Sequence, residues 1–215
     1  KRSIVKHLRL GTRRSELALW QSRFVASQLK QRWGDEIEIE LVEIVTEGDR
    51  ILDRPLAEVG GKGLFVSGIE AQLLRGELDF AVHSLKDMPA VLPDGLALAA
   101  TPERASPFDA LCGPESVDVT CLPAGFRIGT SSLRRAALLR RFLPQVEVIS
   151  VRGNVATRLR KIEEGVVDAV VLAKAGLDRL GLGATVRHVF QAEQMLPAAA
   201  QGILAIEARQ DDADT

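Results

Sequence analysis

At 215 residues the chain is long enough to bury one large core or two small ones, the usual allowance being ~100 to 200 residues per domain. Hydrophobic residues make up 46% and charged residues 27%, which excludes a disordered chain, and no apolar run approaches the ~18 residues needed to cross a bilayer. A net charge of -1 leaves no overall field to draw the chain to nucleic acid or to an anionic membrane.

The opening Lys1-Arg2-Ser3-Ile4 lacks both a methionine and an apolar signal core. It reads as a processing boundary, and residues 1–6 stand outside the fold argument. Residues 7–12 read as a strand ending in the polar turn Arg13-Arg14-Ser15. Ser15 is a good N-cap, and Leu17, Trp20 and Phe24 follow at three- and four-residue spacing, so a helix is expected to about Trp33, where Gly34 stops it. Ile37, Ile39, Leu41 and Ile44 mark a second strand, and Thr46-Glu47-Gly48-Asp49 turns away from it. Val59-Gly60-Gly61-Lys62-Gly63 is a flexible segment in which backbone and the Lys62 ammonium can approach a ligand, without the pattern of a nucleotide-binding loop. A helix with Phe65, Ile69 and Leu73 on one face follows, closed by Gly76.

The stretch Phe80-Ala81-Val82-His83-Ser84-Leu85-Lys86-Asp87-Met88-Pro89 organises the rest. Three apolar residues end a buried strand and a proline delays any helix, so the polar residues from His83 onward are expected in a loop at the strand's carboxyl end, where open α/β sheets place ligands. His83 itself reads as a hydrogen-bonded core histidine more readily than as an acid or base. Residues 97–100 form a short strand, and residues 101–107 have the composition of a linker.

Beyond the linker the plan starts again. Arg127-Ile128-Gly129-Thr130 repeats Arg9-Leu10-Gly11-Thr12, and each is followed by serine and a helix. Ser131 and Ser132 precede a helix with Leu138 and Phe142 inward, residues 146–151 read as a strand, and Arg152-Gly153-Asn154 is a turn into a basic helix over residues 157–164. Residues 168–172 are a third strand, and residues 175–180 open a further helix. After Pro197, residues 201–207 form a strand with no helix behind it, which most simply returns to complete the first sheet. The expected fold is therefore α/β: two domains with mixed sheets flanked by helices and a cleft between them, residues 1–101 plus 201–215 forming the first and residues 105–197 the second.

Between Arg127 and Lys161 stand nine basic residues and one acid, Glu147, so the positive charge is local. The turns at Arg13 to Ser15, Thr130 to Arg135 and Arg152 to Arg158 each lead into a helix, whose start offers unpaired N–H groups and a positive dipole end. Arginine adds a two-pronged donor that matches a carboxylate. Arg134 and Arg135, cations in a first helical turn, are poorly placed for the dipole, which points to a ligand; Arg140, Arg141, Arg160 and Lys161 read as solvated surface. The pattern implies a small polyanion. Cys112 and Cys121 have no metal-ligand spacing; they read as thiols of a reducing compartment, and no metal site is expected.

These residues resemble the porphobilinogen deaminase (hydroxymethylbilane synthase) family over nearly the whole chain. The resemblance is carried by Thr12-Arg13-Arg14-Ser15 with Leu19-Trp20-Gln21, Gly60-Gly61-Lys62-Gly63-Leu64-Phe65, His83-Ser84-Leu85-Lys86-Asp87, Gly129-Thr130-Ser131-Ser132-Leu133-Arg134-Arg135, Arg152-Gly153-Asn154-Val155 with Thr157-Arg158-Leu159, Ala175-Gly176-Leu177, and Gln201-Gly202. It implies two periplasmic-binding-protein-like (type II) domains and a transferase that joins four porphobilinogen molecules head to tail with release of ammonia, on a dipyrromethane cofactor tied by a thioether to cysteine. It implies Asp87, with Arg13 and Lys86, as catalytic. Ser15, Lys62, Lys86, Asp87, Thr130, Ser131, Ser132, Arg134, Arg135, Arg152 and Gly153 would hold the cofactor, and Arg13, Ser15, Arg152, Arg158, Arg179 and Gln201 the substrate.

The resemblance also implies a cytoplasmic monomer with no nucleic-acid or membrane partner. It departs from the family at Glu58, where lysine is common, at Ser67-Gly68 in place of a Lys-Glu pair, and at Ala200 in place of glycine. The family's third domain, which bears the anchoring cysteine, lies beyond this sequence, and neither Cys112 nor Cys121 has its context. A non-catalytic receptor for a small organic anion is the alternative.

Overall fold

The computed structural model describes residues 5–46, 66–212 and 215. The turn at Gly48 and Asp49, the glycine-rich segment with Lys62, and Glu58 lie outside the described residues. By contacts the chain divides into unit 1, residues 1–104 with 203–215, and unit 2, residues 105–202.

Unit 1 begins with strand β1 (Lys6–Arg13), in which Leu8 and Leu10 are withdrawn from water. Each such side chain contributes about 1.5–3 kcal/mol. Helix α1 (Glu16–Trp33) starts at Ser15, whose hydroxyl accepts from the amide of Ala18. It ends at Gly34, whose φ of 54° is costly for residues with a Cβ. Strand β2 (Ile37–Ile44) pairs parallel with β1. Helix α2 (Ser67–Leu74) buries Ile69 and Leu73, and β3 (Phe80–Ser84) pairs parallel with β1 on its other side. His83 and Ser84, expected in a loop, belong to this strand, because the antiparallel ladder with β10 (Leu204–Arg209) runs on to the pair of Leu204 and Ser84. Strand β4 (Leu96–Ala100) completes the order β2-β1-β3-β10-β4. Leu8, Leu10, Phe80 and Val82 pack with Phe24 and Val25 of α1 on one face, and Ala81 packs with Ile69 and Leu73 of α2 on the other.

Unit 2 repeats the arrangement. Strands β5 (Asp109–Cys112), β6 (Arg127–Gly129), β7 (Glu147–Ile149), β8 (Ala169–Ala173) and β9 (Val186–Val189) form a sheet of order β7-β6-β8-β5-β9. Strands β6, β7 and β8 are mutually parallel, and β5 runs antiparallel to both β8 and β9, as β10 does to β3 and β4 in unit 1. Helix α3 (Leu133–Phe142) covers one face through Leu139 and Phe142. Helices α4 (Val155–Glu163) and α5 (Lys174–Arg179) cover the other through Val155, Leu159 and Leu177. Strands β5 and β9 were not expected from the sequence, and β7 is three residues where six were expected.

The four-residue repeat carries a tertiary device with it. The backbone N–H and guanidinium of Arg9 donate to Asp79 and a further N–H to the carbonyl of Gly76; Arg127 does the same to Asp168 and Gly165. Asp79 and Asp168 in turn donate their amides back to the carbonyls of Arg9 and Arg127, both at 2.9 Å. Each clamp ties the second strand of its sheet, β1 or β6, to the helix-closing turn before its parallel neighbour. Among the described residues no helix is long and apolar enough to cross a membrane.

Candidate functional site

In unit 1 the carboxyl ends of β1 and β3 carry Arg13 and the pair Lys86-Asp87. The β3 end is held from several directions. Gln21 of α1 donates to the Ser84 hydroxyl at 3.0 Å on one face of the strand, and His83 bonds Glu207 of β10 at 2.9 Å on the other. The amide of Leu85 donates to the carbonyl of Ile203, and that of Met88 to Leu85 at 3.2 Å, closing one 3₁₀ turn over Leu85–Asp87. Met88 is buried beneath the turn with Val66 and Ala205, which leaves Lys86 and Asp87 half-buried at its outer side. His83 and Glu207 are 3% and 0% exposed, so the histidine is a core hydrogen-bonding residue. Ser15 is engaged as the α1 cap, and Thr12, fully buried, donates within the same turn.

In unit 2 the β6 end leads into α3. Thr130 is buried, its amide donating to Ile149 and its hydroxyl accepting from Ser132, whose own hydroxyl caps the helix by accepting from Arg135. Ser131 is half-buried between them. Arg135 is 7% exposed and donates to Asp109 at 2.9 and 2.7 Å and to the Val171 carbonyl; Arg134, 26% exposed, reaches Asp109 at 2.8 Å and the Leu196 carbonyl at 2.6 Å. The first-turn cations therefore have an internal counter-ion, and their unfavourable position against the helix dipole does not by itself require a ligand. Burial alone would raise the Asp109 carboxyl, but Arg135 and Arg134 outweigh it and hold the group below the usual carboxylate range. Asp109 was missed in the sequence, although an aspartate inside an apolar run was a signal.

At the β7 end, Gly153 has φ 114° and a Cβ there would lie 2.6 Å from Thr157, so only glycine suits this turn. Asn154 caps α4 by accepting from Thr157 at 2.8 Å, and Arg158 donates to the Gly153 carbonyl. Arg152 lies in the same turn, and its Nη1 is buried with no hydrogen-bond partner among the described residues. A buried donor without a partner costs about 1–3 kcal/mol, which an anion at this turn would relieve. Arg179 donates to the Gly202 carbonyl at 3.0 Å, burial drawing its guanidinium down, and Gln201 donates to Pro107 and Asp109. A separate cavity of about 530 Å³ opens at the opposite ends of β6 and β8, lined by Cys121, Phe126, Ile162 and Asp168 among others, and contains none of these residues.

Two sheets of one strand order, with hydroxyl- and guanidinium-bearing turns where parallel strands end, define an α/β protein with the type II periplasmic-binding-protein fold. Solved structures of that fold match nearly all of the chain at low identity. Lipoprotein Tp32 from Treponema pallidum has a TM-score of 0.55 at 15% identity, covering 96% of this chain and 85% of that one. The BvgS periplasmic VFT2 domain from Bordetella pertussis has 0.51 at 14%, covering 97% and 82%. The chain belongs to the porphobilinogen deaminase family: the family model described as porphobilinogen deaminase, dipyromethane cofactor binding domain, matches residues 8–215. The porphobilinogen deaminase of Geobacter sulfurreducens is 51% identical over 208 residues, 97% of this chain and 65% of that protein. That of Xanthomonas axonopodis pv. citri is 52% identical over 206 residues, 96% of this chain and 67% of that protein. The chain spans about two thirds of the length of these relatives.

Proposed function

We propose that the protein carrying this chain joins four porphobilinogen molecules into hydroxymethylbilane, releasing ammonia at each step, as a cytoplasmic monomer. The observation that carries this reading is the pinned turn Leu85–Asp87, which follows a strand end tied to helix α1 through Ser84 and to β10 and the residue before it through His83 and Leu85. Porphobilinogen loses its amine when the C–N bond breaks and the electron pair leaves with nitrogen, so the departing group needs a proton and the carbon left behind is cationic through its pyrrole ring. A fixed carboxylate at Asp87 would accept the pyrrole N–H and stabilise that charge without reorganising. Lys86 and Arg13, on neighbouring parallel strand ends, would orient the substrate's acetate and propionate groups with Ser15.

The residues of unit 2 fit a carboxylate-rich cofactor, on the evidence of the orphaned Arg152 Nη1 beside a turn that excludes any Cβ. Dipyrromethane, when bound, would supply the nucleophilic pyrrole carbon. Thr130, Ser131, Ser132, Arg134, Arg135, Arg152 and Gly153 would hold its side chains, with Lys62, and Arg158, Arg179 and Gln201 would serve the substrate. Cys112 is buried, which pushes its thiol up to about 11, and Cys121 is exposed beside the separate cavity. Neither is placed as an anchor. Family membership disfavours the receptor reading.

The test is formation of ammonia and uroporphyrin from porphobilinogen by the protein and by Asp87→Ala. The variant is expected to keep its unfolding midpoint while the rate falls by about 10²-fold or more. A wild-type rate would remove Asp87 from the mechanism.

A further inference from the structure

Three of the residues assigned to ligands above converge on one that was not. Asp109 is fully buried, and its register partner Ala173 is the last residue of β8, so the carboxylate stands at the end of the sheet where the cationic turns lie. Arg135 takes Oδ1 through two nitrogens, Gln201 joins the same oxygen at 3.0 Å, and Arg134 Nη1 stands 2.8 Å from Oδ2 as an ion pair without hydrogen-bond alignment. Both contacts of Arg134 fall on that nitrogen, the other being to Leu196, so among the described residues its Nε and Nη2 are left for a further acceptor. Adjacent guanidiniums repel, and a helix start disfavours both; the shared carboxylate offsets each effect and fixes the planes of the two forks.

We propose that Asp109 is a positioning residue that aims Arg134 at a carboxylate of the bound pyrrole, with Arg135 and Gln201 acting through it. This rests on the proposed function. Removing the Asp109 charge makes the site more positive, so simple charge compensation predicts tighter anion binding on its loss, whereas positioning predicts weaker binding.

The experiment is calorimetric titration of the protein with a dipyrromethane bearing acetate and propionate groups but no aminomethyl group, the ligand assigned to Arg134, which binds without turnover. Asp109→Asn is expected to weaken binding about tenfold, and to cause no further loss in an Arg134→Ala background, as residues acting through one contact do. Equal losses in both backgrounds, or tighter binding by Asp109→Asn, would overturn the proposal. Should Asp109→Asn fail to fold, Gln201→Ala removes one donor and keeps the ion pairs; about a threefold loss is expected, again absent in the Arg134→Ala background. Unchanged affinity of Arg134→Ala alone would instead overturn the ligand assignment beneath it.

Discussion

Glu70 and Glu207 put two carboxylates into the interior of unit 1 with one imidazole between the strands to match them. Glu207 spends one oxygen on His83; its other oxygen, and one of Glu70, are buried with no hydrogen-bond partner among the described residues. Burial first, then the charge of Glu207, raises the Glu70 carboxyl, with His83 opposing. A raised folded-state value means the native protein holds a proton that the unfolded chain has released, so stability falls as pH climbs from the ordinary glutamate value of ~4.3 through the raised one. Glu70→Gln is therefore expected to unfold with nearly the wild-type midpoint at pH 4 and with a higher midpoint at pH 8, the gap widening with pH. Thermal scans across that range check it, and a gap that narrows instead would mean the fold favours the ionised form. At this scale, caps were legible and counter-ions were not. Ser15 and Ser132 act on amides three residues ahead, whereas Asp109 meets Arg135 and Gln201 at separations of 26 and 92 residues.

Elements were legible where the chain repeats a local instruction. Gly-Thr stands at the carboxyl ends of β1 and β6, and in both the glycine is there because something sits against it: a Cβ on Gly11 would lie 2.6 Å from Leu78, and one on Gly129 would lie 2.9 Å from Val151 and 3.0 Å from Val170. The valines are β-branched and stiff, and Val170 is locked in the sheet. Gly129→Ala should cost about 1–3 kcal/mol, the usual price of overpacking, read as a lower urea midpoint with unchanged slope. Wild-type stability would show that the strand end yields. Strands β5 and β9 escaped notice for a contrasting reason. Asp109 opens β5 and Arg187 and His188 fill β9, residue types that local β-preference does not favour; β5 exists because it pairs with β8, and β9 because it pairs with β5.

The whole molecule follows from how the chain is threaded. It leaves unit 1 after β4, enters unit 2 by laying down β5, and on its return lays down β10, so in each unit the fourth-position strand comes from the far side of a crossing. The consequences for the two units are unequal. Residues 105–202 hold all five strands of their sheet and its three helices, so that fragment buries its core unaided. Residues 1–104 lack β10, and among the described residues β4 pairs with nothing else; without residues 203–215 the slot between β3 and β4 exposes two ladders of unpaired backbone groups, and Val82 loses Leu204 and Ala208 while the His83 ring loses Glu207. Expressed separately, residues 105–202 should give a dispersed amide NMR spectrum and a cooperative melt, and residues 1–104 should give neither until a peptide of residues 203–215 is added. A cooperative melt from residues 1–104 alone would show that β10 seals a sheet already formed by its partners.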